Sequence, residues 1–435
     1  MRYWNEPIET MSRDELRSIQ DTRLRRTVEK IYTNVEHYRK KMQDKGLLPG
    51  DVRGAEDLRL LPFSTKQDLR DTYPYGMFSA PLDQITRIHA SSGTTGKQTV
   101  VGYTAKDIEI WAECMARCLV MAGQDKRSRV QVSYGYGLFT GGLGAHYGAE
   151  RLGASTIPTS SGNTQRQIVI MRDFGSTCLC CTPSYALFIA ETMEDMGIKK
   201  EELSLQAGCF GAEPWTEGMR RQIEDRLGIR AHDIYGLSEI MGPSVSQDCE
   251  CKAGLHVWED YFIPEIIDPA TGEVLPDGAQ GEIVFTTISK EGMPLIRYRT
   301  RDISSLTHEV CACGRTHARM GRLKGRTDDM LIIRGVNVFP SQIESVLLGF
   351  SNVSPNYRII VEREGLLDQM TIELEINETL FADTVKGMED AERGIRRQLD
   401  SVLGITSRVR IVEKGTIDRS MGKAVRVIDK RNLIG

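Results

Sequence analysis

At 435 residues, with 40% apolar and 27% charged side chains, the chain is long enough for two or three domains around a sizeable core. Its 56 basic and 60 acidic residues leave a net charge of −4, which disfavours nucleic acid as the main partner. No stretch approaches the ~18 uncharged apolar residues of a membrane span, and the N-terminus lacks a signal peptide's apolar core, so a cytoplasmic protein with reduced thiols is expected.

The first 80 or so residues read as largely helical, as over 14–28, with a polar turn at Leu48-Pro49-Gly50-Asp51. A strand over 85–89 leads into the glycine- and hydroxyl-rich run Ser91-Ser92-Gly93-Thr94-Thr95-Gly96-Lys97. Thr104 with Asp107 three residues on forms a capping-box pattern. It opens a helix whose apolar face is Ile108, Trp111, Cys114, Met115, Cys118 and Leu119. Short apolar runs at 130–132, 154–157, 177–181, 207–210 and 231–234 then alternate with helical patterns. That rhythm predicts α/β architecture with substantial parallel sheet. Between 257 and 310 strands and turns dominate.

A second unit is expected from about residue 327. A large N-terminal α/β domain over 1–326 and a small C-terminal α+β domain over 327–435 follow. The small domain is read as a strand over 330–333 and a helix starting at Ser341, with Glu344 closing another capping box. A hairpin-like pair over 357–362 and 370–376, a second helix and a final strand over 408–412 complete it. No internal repeat or low-complexity segment interrupts this order.

Glycines in the 91–97 run free the backbone to wrap an anion, the hydroxyls donate and Lys97 supplies charge. It is not a Walker loop, because Ser91 stands where the first glycine belongs and Gln98 where a Ser or Thr would meet magnesium. A plain surface turn is the competing reading. Cys249, Cys251, His256, Cys311 and Cys313 supply five soft ligands where zinc takes four. Reduced surface thiols are the alternative there. Cys114, Cys118, Cys178, Cys180 and Cys181 read as packing. His146 reads as a satisfied core histidine rather than a substrate contact.

Six segments occur in the order found in adenylate-forming enzymes, the superfamily of acyl-CoA ligases, adenylation domains and luciferases. They are the 91–97 loop, Gly211-Ala212-Glu213-Pro214-Trp215, Asp233-Ile234-Tyr235-Gly236-Leu237-Ser238-Glu239, Tyr298-Arg299-Thr300-Arg301-Asp302, Gly325-Arg326-Thr327-Asp328 and Ser420-Met421-Gly422-Lys423. Two longer stretches, 134–147 and 328–340, resemble the phenylacetate–CoA ligases within that superfamily, although Gln98 replaces the family's usual proline.

The resemblance implies an AMP-forming enzyme that activates an aromatic acid with ATP and passes the acyl group to coenzyme A. It places Lys423 and Glu239 in catalysis, Glu239 as the magnesium ligand and Asp302 on the ribose. Arg326 would touch ribose or phosphate, with a hinge salt bridge to Asp328 as the rival. Ser91, Ser92, Gly93, Thr94, Thr95, Lys97, Gly211, Ala212, Glu213, Pro214, Asp233, Ile234, Tyr235 and Gly236 would surround ATP. Tyr134, Tyr136 and Phe139 would hold the acid, with Ala212 as a further wall.

Residue by residue, blander readings compete: a helix-terminal carboxylate for Glu239, a solvated cation for Lys423, and pairing of Asp302 with Arg297, Arg299 or Arg301. The family also implies a structural zinc on Cys249, His256, Cys311 and Cys313, with Cys251 spare, although four cysteines would serve as well. A mobile C-terminal domain and a homodimer are further implications. Loading of a carrier protein and a non-catalytic zinc-containing nucleotide-binding module are the rival functions.

Overall fold

The computed structural model describes residues 2–91, 98–327, 329, 331–334, 336–350, 353–364, 367–376, 385–420 and 424–431. Thr104 caps the helix Ala105–Met121 as its sequence requires: its hydroxyl accepts the Asp107 amide at 3.2 Å, while Asp107 Oδ2 accepts the Thr104 amide at 2.9 Å. Trp111, Cys114, Met115, Cys118 and Leu119 are buried along that helix. They pack against the helix Gly141–Leu152, where glycine permits close approach. A Cβ on Gly148 would fall 2.2 Å from Met115 Cγ, and one on Gly144 2.5 Å from the Trp111 ring. Part of the glycine-rich 134–147 stretch therefore serves helix packing.

The chain divides into two compact units. The first contains Met1–Cys181, Leu203–Ala212 and Arg230–Arg322. Its largest sheet runs in parallel through Ser155–Ile157, Arg129–Val132, Cys178–Cys181, Ala207–Gly211 and Arg230–Leu237. Cys178–Cys181 and Ala207–Gly211 are buried throughout because both faces are covered, which erases polar alternation, whereas Ser155–Ile157 at the sheet edge stays partly exposed. The sheet continues antiparallel through Gly242–Asp248 and Leu255–Val257. Chain order reverses where Arg129–Val132 lies between Ser155–Ile157 and Cys178–Cys181, and such a switch opens a crevice at the strands' carboxyl ends. A second, antiparallel layer contains Phe262–Ile267, Gly281–Thr287 and Tyr298–Ser304.

The second unit contains Thr182–Glu202, Glu213–Ile229 and Leu323–Gly435. Its sheet orders Arg408–Val412, Leu367–Ile376, Val353–Glu364 and Val427–Asp429. Alternate residues Tyr357, Ile359 and Val361 meet Met370, Ile372 and Leu374 on one buried face, closed by Ile395 and Leu399 of the helix Val385–Leu403. Each of these buried side chains stabilises the unit by ~1.5–3 kcal/mol through leaving water.

Two expectations change here. The Ser341/Glu344 capping box does not form, because Pro340 begins the helix Pro340–Leu347 at its first position and moves the cap to Phe339. Gln342 Oε1 accepts the Phe339 amide at 2.9 Å, whereas buried Glu344 accepts the Tyr357 hydroxyl at 2.8 Å. The strand Arg408–Val412 is also not the last, since Val427–Asp429 adds a parallel edge beside Val353–Glu364. Met330 lies outside the described residues.

Candidate active site and metal centre

In the first unit, the carboxyl ends of the parallel strands carry two of the motifs expected beside the nucleotide, 211–212 and 233–236. Gly211 ends its strand and donates its amide to Tyr134 Oη at 3.0 Å. A Cβ there would lie 2.0 Å from the Ile234 carbonyl, so only glycine fits between the strands. Ala212 follows at φ 73°, turning the chain sharply away from the sheet. Asp233, Ile234, Tyr235 and Gly236 occupy the next strand. The Asp233 amide donates to Asp248 Oδ1 at 3.0 Å, and its carboxylate lies 3.5 Å from Arg322.

Tyr235 donates its hydroxyl to Asp302 Oδ2 at 2.7 Å, and both residues are buried. Two of the three neighbouring arginines pair with other carboxylates: Arg297 forks onto Glu265 and Arg299 pairs with Glu282. The Tyr235 bond orients the Asp302 carboxylate, a group suited to accepting vicinal hydroxyls.

Glu239 is 4% exposed and lies 3.9 Å from Lys66 Nζ. Side chains remote in sequence hold its backbone. Lys290 donates to the Glu239 carbonyl at 2.9 Å, Tyr103 donates to the Ser238 carbonyl at 2.7 Å, and Thr140 meets Ser238 Oγ at 2.9 Å. Burial pushes the Lys290 ammonium down to about 8, against the raising influence of Asp107 and Glu239. Sequence spacing carries no signal for these supports. A hard cation needs oxygen donors and only one or two carboxylates beside substrate phosphates, and Glu239 fits that demand.

Ser91 ends the strand Arg87–Ser91, its Oγ 2.6 Å from Thr99 Oγ1. Ser92, Gly93, Thr94, Thr95 and Lys97 lie outside the described residues, as does Lys423.

The aromatic segment splits in character. Tyr134 is buried, and burial raises its phenol well above the ordinary value. Tyr136 faces His146 edge-on, with Oη 3.2 Å from Nδ1, and His146 Nε2 lies 3.0 Å from Glu150. Phe139 is 43% exposed. Tyr134 is therefore a fixed wall, while Phe139 has open surface to offer.

In the second unit, Glu213 accepts the Ser184 amide on Oε1 at 2.7 Å and the Ala424 amide on Oε2 at 2.8 Å. Pro214 follows, half-buried. Arg326 lies 3.7 Å from Asp329, and its other suggested partner, Asp328, is outside the described residues.

Cys249, His256, Cys311 and Cys313 are all buried, and their ligand atoms lie within 4.8 Å of one another. Cys249 and Cys311 sulfurs are 3.8 Å apart, and Cys313 Sγ is 3.5 Å from His256 Nε2. A tetrahedral centre with metal–sulfur bonds of about 2.3 Å and metal–nitrogen bonds of about 2.0–2.1 Å has sulfur–sulfur edges of ~3.8 Å and sulfur–nitrogen edges of ~3.6 Å. The observed separations match those edges, and 3.8 Å is far too long for a disulfide. Burial pushes the His256 imidazole down, keeping it in the neutral form that ligates. Cys251 is exposed and outside the group.

Supports for this knot come from the far N-terminus, which sequence reading missed. Arg315 donates to Glu9 at 2.7 Å with both side chains fully buried, and Tyr3 donates to the Cys313 carbonyl at 2.7 Å. A second group, Cys178, Cys180 and Cys209, is buried between adjacent strands of the central sheet. Cys114, Cys118 and Cys181 are buried as well, in keeping with packing.

Residues 25–289 match the family model described as AMP-binding enzyme, and residues 335–431 match the AMP-binding enzyme C-terminal domain. The chain is 48% identical to phenylacetate-coenzyme A ligase of Thermus thermophilus, over 98% of each chain. It is 51% identical to the phenylacetate-coenzyme A ligase of Escherichia coli, over 99% of this chain and 98% of that one. The crystal structure of 2-hydroxyisobutyryl-CoA ligase in the postadenylation state, in complex with R3-HIB-AMP, superposes with a TM-score of 0.94 at 28% identity, covering 100% of this chain and 93% of that one. Among the described residues no helix is long and apolar enough to cross a membrane.

Proposed function

The chain belongs to the phenylacetate–coenzyme A ligases of the AMP-binding enzyme family, and from that premise we propose how its residues divide the reaction. It is an AMP-forming acyl-CoA ligase that activates phenylacetate with ATP and transfers the acyl group to coenzyme A. A carboxylate oxygen of the acid attacks the α-phosphorus. An O–P bond forms, the bond to the bridging oxygen breaks, and pyrophosphate leaves. The coenzyme A thiolate then attacks the acyl carbon, a C–S bond forms, and AMP departs as the C–O bond breaks. The thiol proton passes to solvent.

The first step gathers negative charge on phosphate oxygens, which fixed cations stabilise. Lys423 supplies one such charge from the C-terminal domain, 327–435, which turns between the two half-reactions. Glu239 would hold magnesium, which would supply another such charge when bound. Asp302, aimed by Tyr235, accepts the ribose hydroxyls. Gly211, Ala212 and Tyr235 line the adenine side at the strand ends. Tyr134, Tyr136, Phe139 and Ala212 form the acid pocket, with the glycines of 135–142 leaving room for a flat ring.

The four-ligand knot takes zinc in a structural role, since four protein ligands leave no open position for chemistry. Its carrying observation is the pair of 3.8 and 3.5 Å edges. Family resemblance supports a cytoplasmic homodimer, which light scattering of the purified enzyme checks.

For the reaction as a whole, the carrying observation is identity of 48–51% along nearly the full length of phenylacetate–CoA ligases. The test is a panel of phenylacetate, hydroxyphenylacetate, indoleacetate and substituted benzoates with ATP, magnesium and coenzyme A, read as acyl-CoA by mass. Phenylacetate is expected to give the highest kcat/KM. A benzoate ahead of it would move the substrate assignment, and acyl-AMP without thioester would favour a carrier protein as acceptor.

A further inference from the structure

The carboxylate of Glu213 joins two segments of the second unit that are remote in sequence. Ser184, whose amide it accepts at 2.7 Å, is the second residue of the helix Pro183–Asp195. First-turn amides have no partner inside a helix, and Thr182 already serves Tyr185 at 3.3 Å. Ala424, whose amide the other oxygen accepts at 2.8 Å, is one peptide bond beyond Lys423. One side chain thus ties the chain carrying the lysine to a helix N-terminus.

A second tie stands four residues before Lys423. Arg419 forks onto Glu191 of the same helix at 3.1 Å on both arms and also reaches Glu375 at 2.7 Å. These side chains are 14%, 18% and 0% exposed, so the network is shielded from water. On the far side, Arg426 lies over the Tyr357 ring at 4.4 Å. Arg419 therefore reaches this helix directly and Ala424 reaches it through Glu213, and Lys423 lies between the two in sequence.

We propose that Glu213 is a positioning residue for the adenylation half-reaction: by bridging the amides of Ser184 and Ala424, its carboxylate anchors the chain next in sequence to Lys423. The inference rests on the assignment of Lys423 to adenylation. It gives the acidic residue of the 211–215 motif a task separate from contact with ATP, because both carboxylate oxygens already accept backbone amides. Backbone bonds to a carboxylate are roughly twice as strong as neutral ones, and losing such a bond shifts a seated population by about ten- to hundredfold. Thioester formation does not call on Lys423 and needs no such seat.

The experiment measures two half-reactions of the full chain: pyrophosphate release from phenylacetate and ATP, and phenylacetyl-CoA formation from preformed phenylacetyl-AMP and coenzyme A. For Glu213→Ala, the first is expected to fall at least tenfold more than the second, through kcat rather than the KM for ATP. Glu213→Gln, which keeps one acceptor oxygen, should fall between it and wild type. Equal losses in both half-reactions with a lowered Tm would reduce Glu213 to a helix cap and overturn the proposal. A rise confined to the KM for ATP would make it a nucleotide contact instead, with the same consequence. Lys423→Ala, run in parallel, separates the two levels. If it spares pyrophosphate release, the role of Lys423 fails; if it abolishes release while Glu213→Ala does not impair it, only the positioning role fails. Should Glu213→Ala not fold, the isosteric Glu213→Gln carries the same comparison.

Discussion

Tyr235 and Asp302, 67 residues apart in sequence, meet through a 2.7 Å hydrogen bond between the phenol and one carboxylate oxygen. The bond joins the end of the parallel sheet to the antiparallel layer and fixes the acceptor direction of Asp302. Tyr235→Phe removes the donor while keeping the ring stacked on Phe285, 6.0 Å away. The KM for ATP is expected to rise about three- to tenfold, as loss of a ~1 kcal/mol orienting bond allows. Asp302→Asn should raise it further, because one oxygen becomes a donor. An unchanged KM in both variants would take Asp302 off the ribose.

The zinc proposed for Cys249, His256, Cys311 and Cys313 predicts about one zinc per chain in protein purified without added metal. Cys311→Ser should lose the metal and lower Tm by about 5 °C, the shift that ~2 kcal/mol produces in a domain of this size. Cys251→Ser should do neither, since that thiol is exposed and outside the group. Elemental analysis beside a melting curve checks both, and metal-free wild-type protein of unchanged stability would reject the site.

His89 gives the stability a pH dependence. It is 1% exposed, donates Nδ1–H to the Leu138 carbonyl at 3.0 Å and lies edge-on to Tyr103 and Trp111, while its Nε2 has no hydrogen-bond partner among the described residues. Burial holds its pKa below the ordinary 6.5. Between the folded and unfolded pKa values the unfolded chain binds more protons, so stability rises with pH across that window and is complete above about 6.5. On acidification the folded state loses ground. His89→Gln, which keeps a donor for Leu138 but cannot titrate, should flatten the fall in Tm between pH 7 and 5 relative to wild type. Parallel melting curves of equal slope would assign the acid sensitivity to other groups.

What could be read in the sequence was what short-range patterns encode. The Cys178–Cys181 strand stood out because all four residues are buried, leaving an uninterrupted apolar run. Thr104 and Asp107 announced their helix because a capping box closes within four residues. The same logic misplaced the start near 341, where Pro340 outranks the Ser341/Glu344 pattern. Supports that join distant segments were invisible: Glu213 bonds Ala424 across 211 positions and Arg315 bonds Glu9 across 306. Nothing local distinguishes those charges from solvated ones. Residue types that suit a metal narrowed the candidates to five, and the family resemblance, not any local pattern, singled out Cys249, His256, Cys311 and Cys313; their convergence depends on strand register, with His256 opposite both Gln247 and Arg319.

Phe139 offers the sharpest test of the acid pocket, because its packing is poor and its proposed role is not. Its ring is 43% exposed, so truncation removes little of the folded core and should change Tm by less than a buried Phe→Ala, which commonly costs about 3–5 kcal/mol. If the ring covers the aromatic acid, however, Phe139→Ala removes apolar surface from the substrate's face. The kcat/KM for phenylacetate should then fall about tenfold, equivalent to ~1.4 kcal/mol, with the KM for ATP within about twofold. Tyr134→Phe separates wall from contact: its phenol is tied to the Gly211 amide at 3.0 Å, so the variant should disturb that strand end and weaken acid and ATP together. Kinetics varied in each substrate distinguish the two patterns. Equal loss for acid and ATP in Phe139→Ala would place this ring with the scaffold, whereas no loss for either would leave the acid to Tyr136 and Ala212.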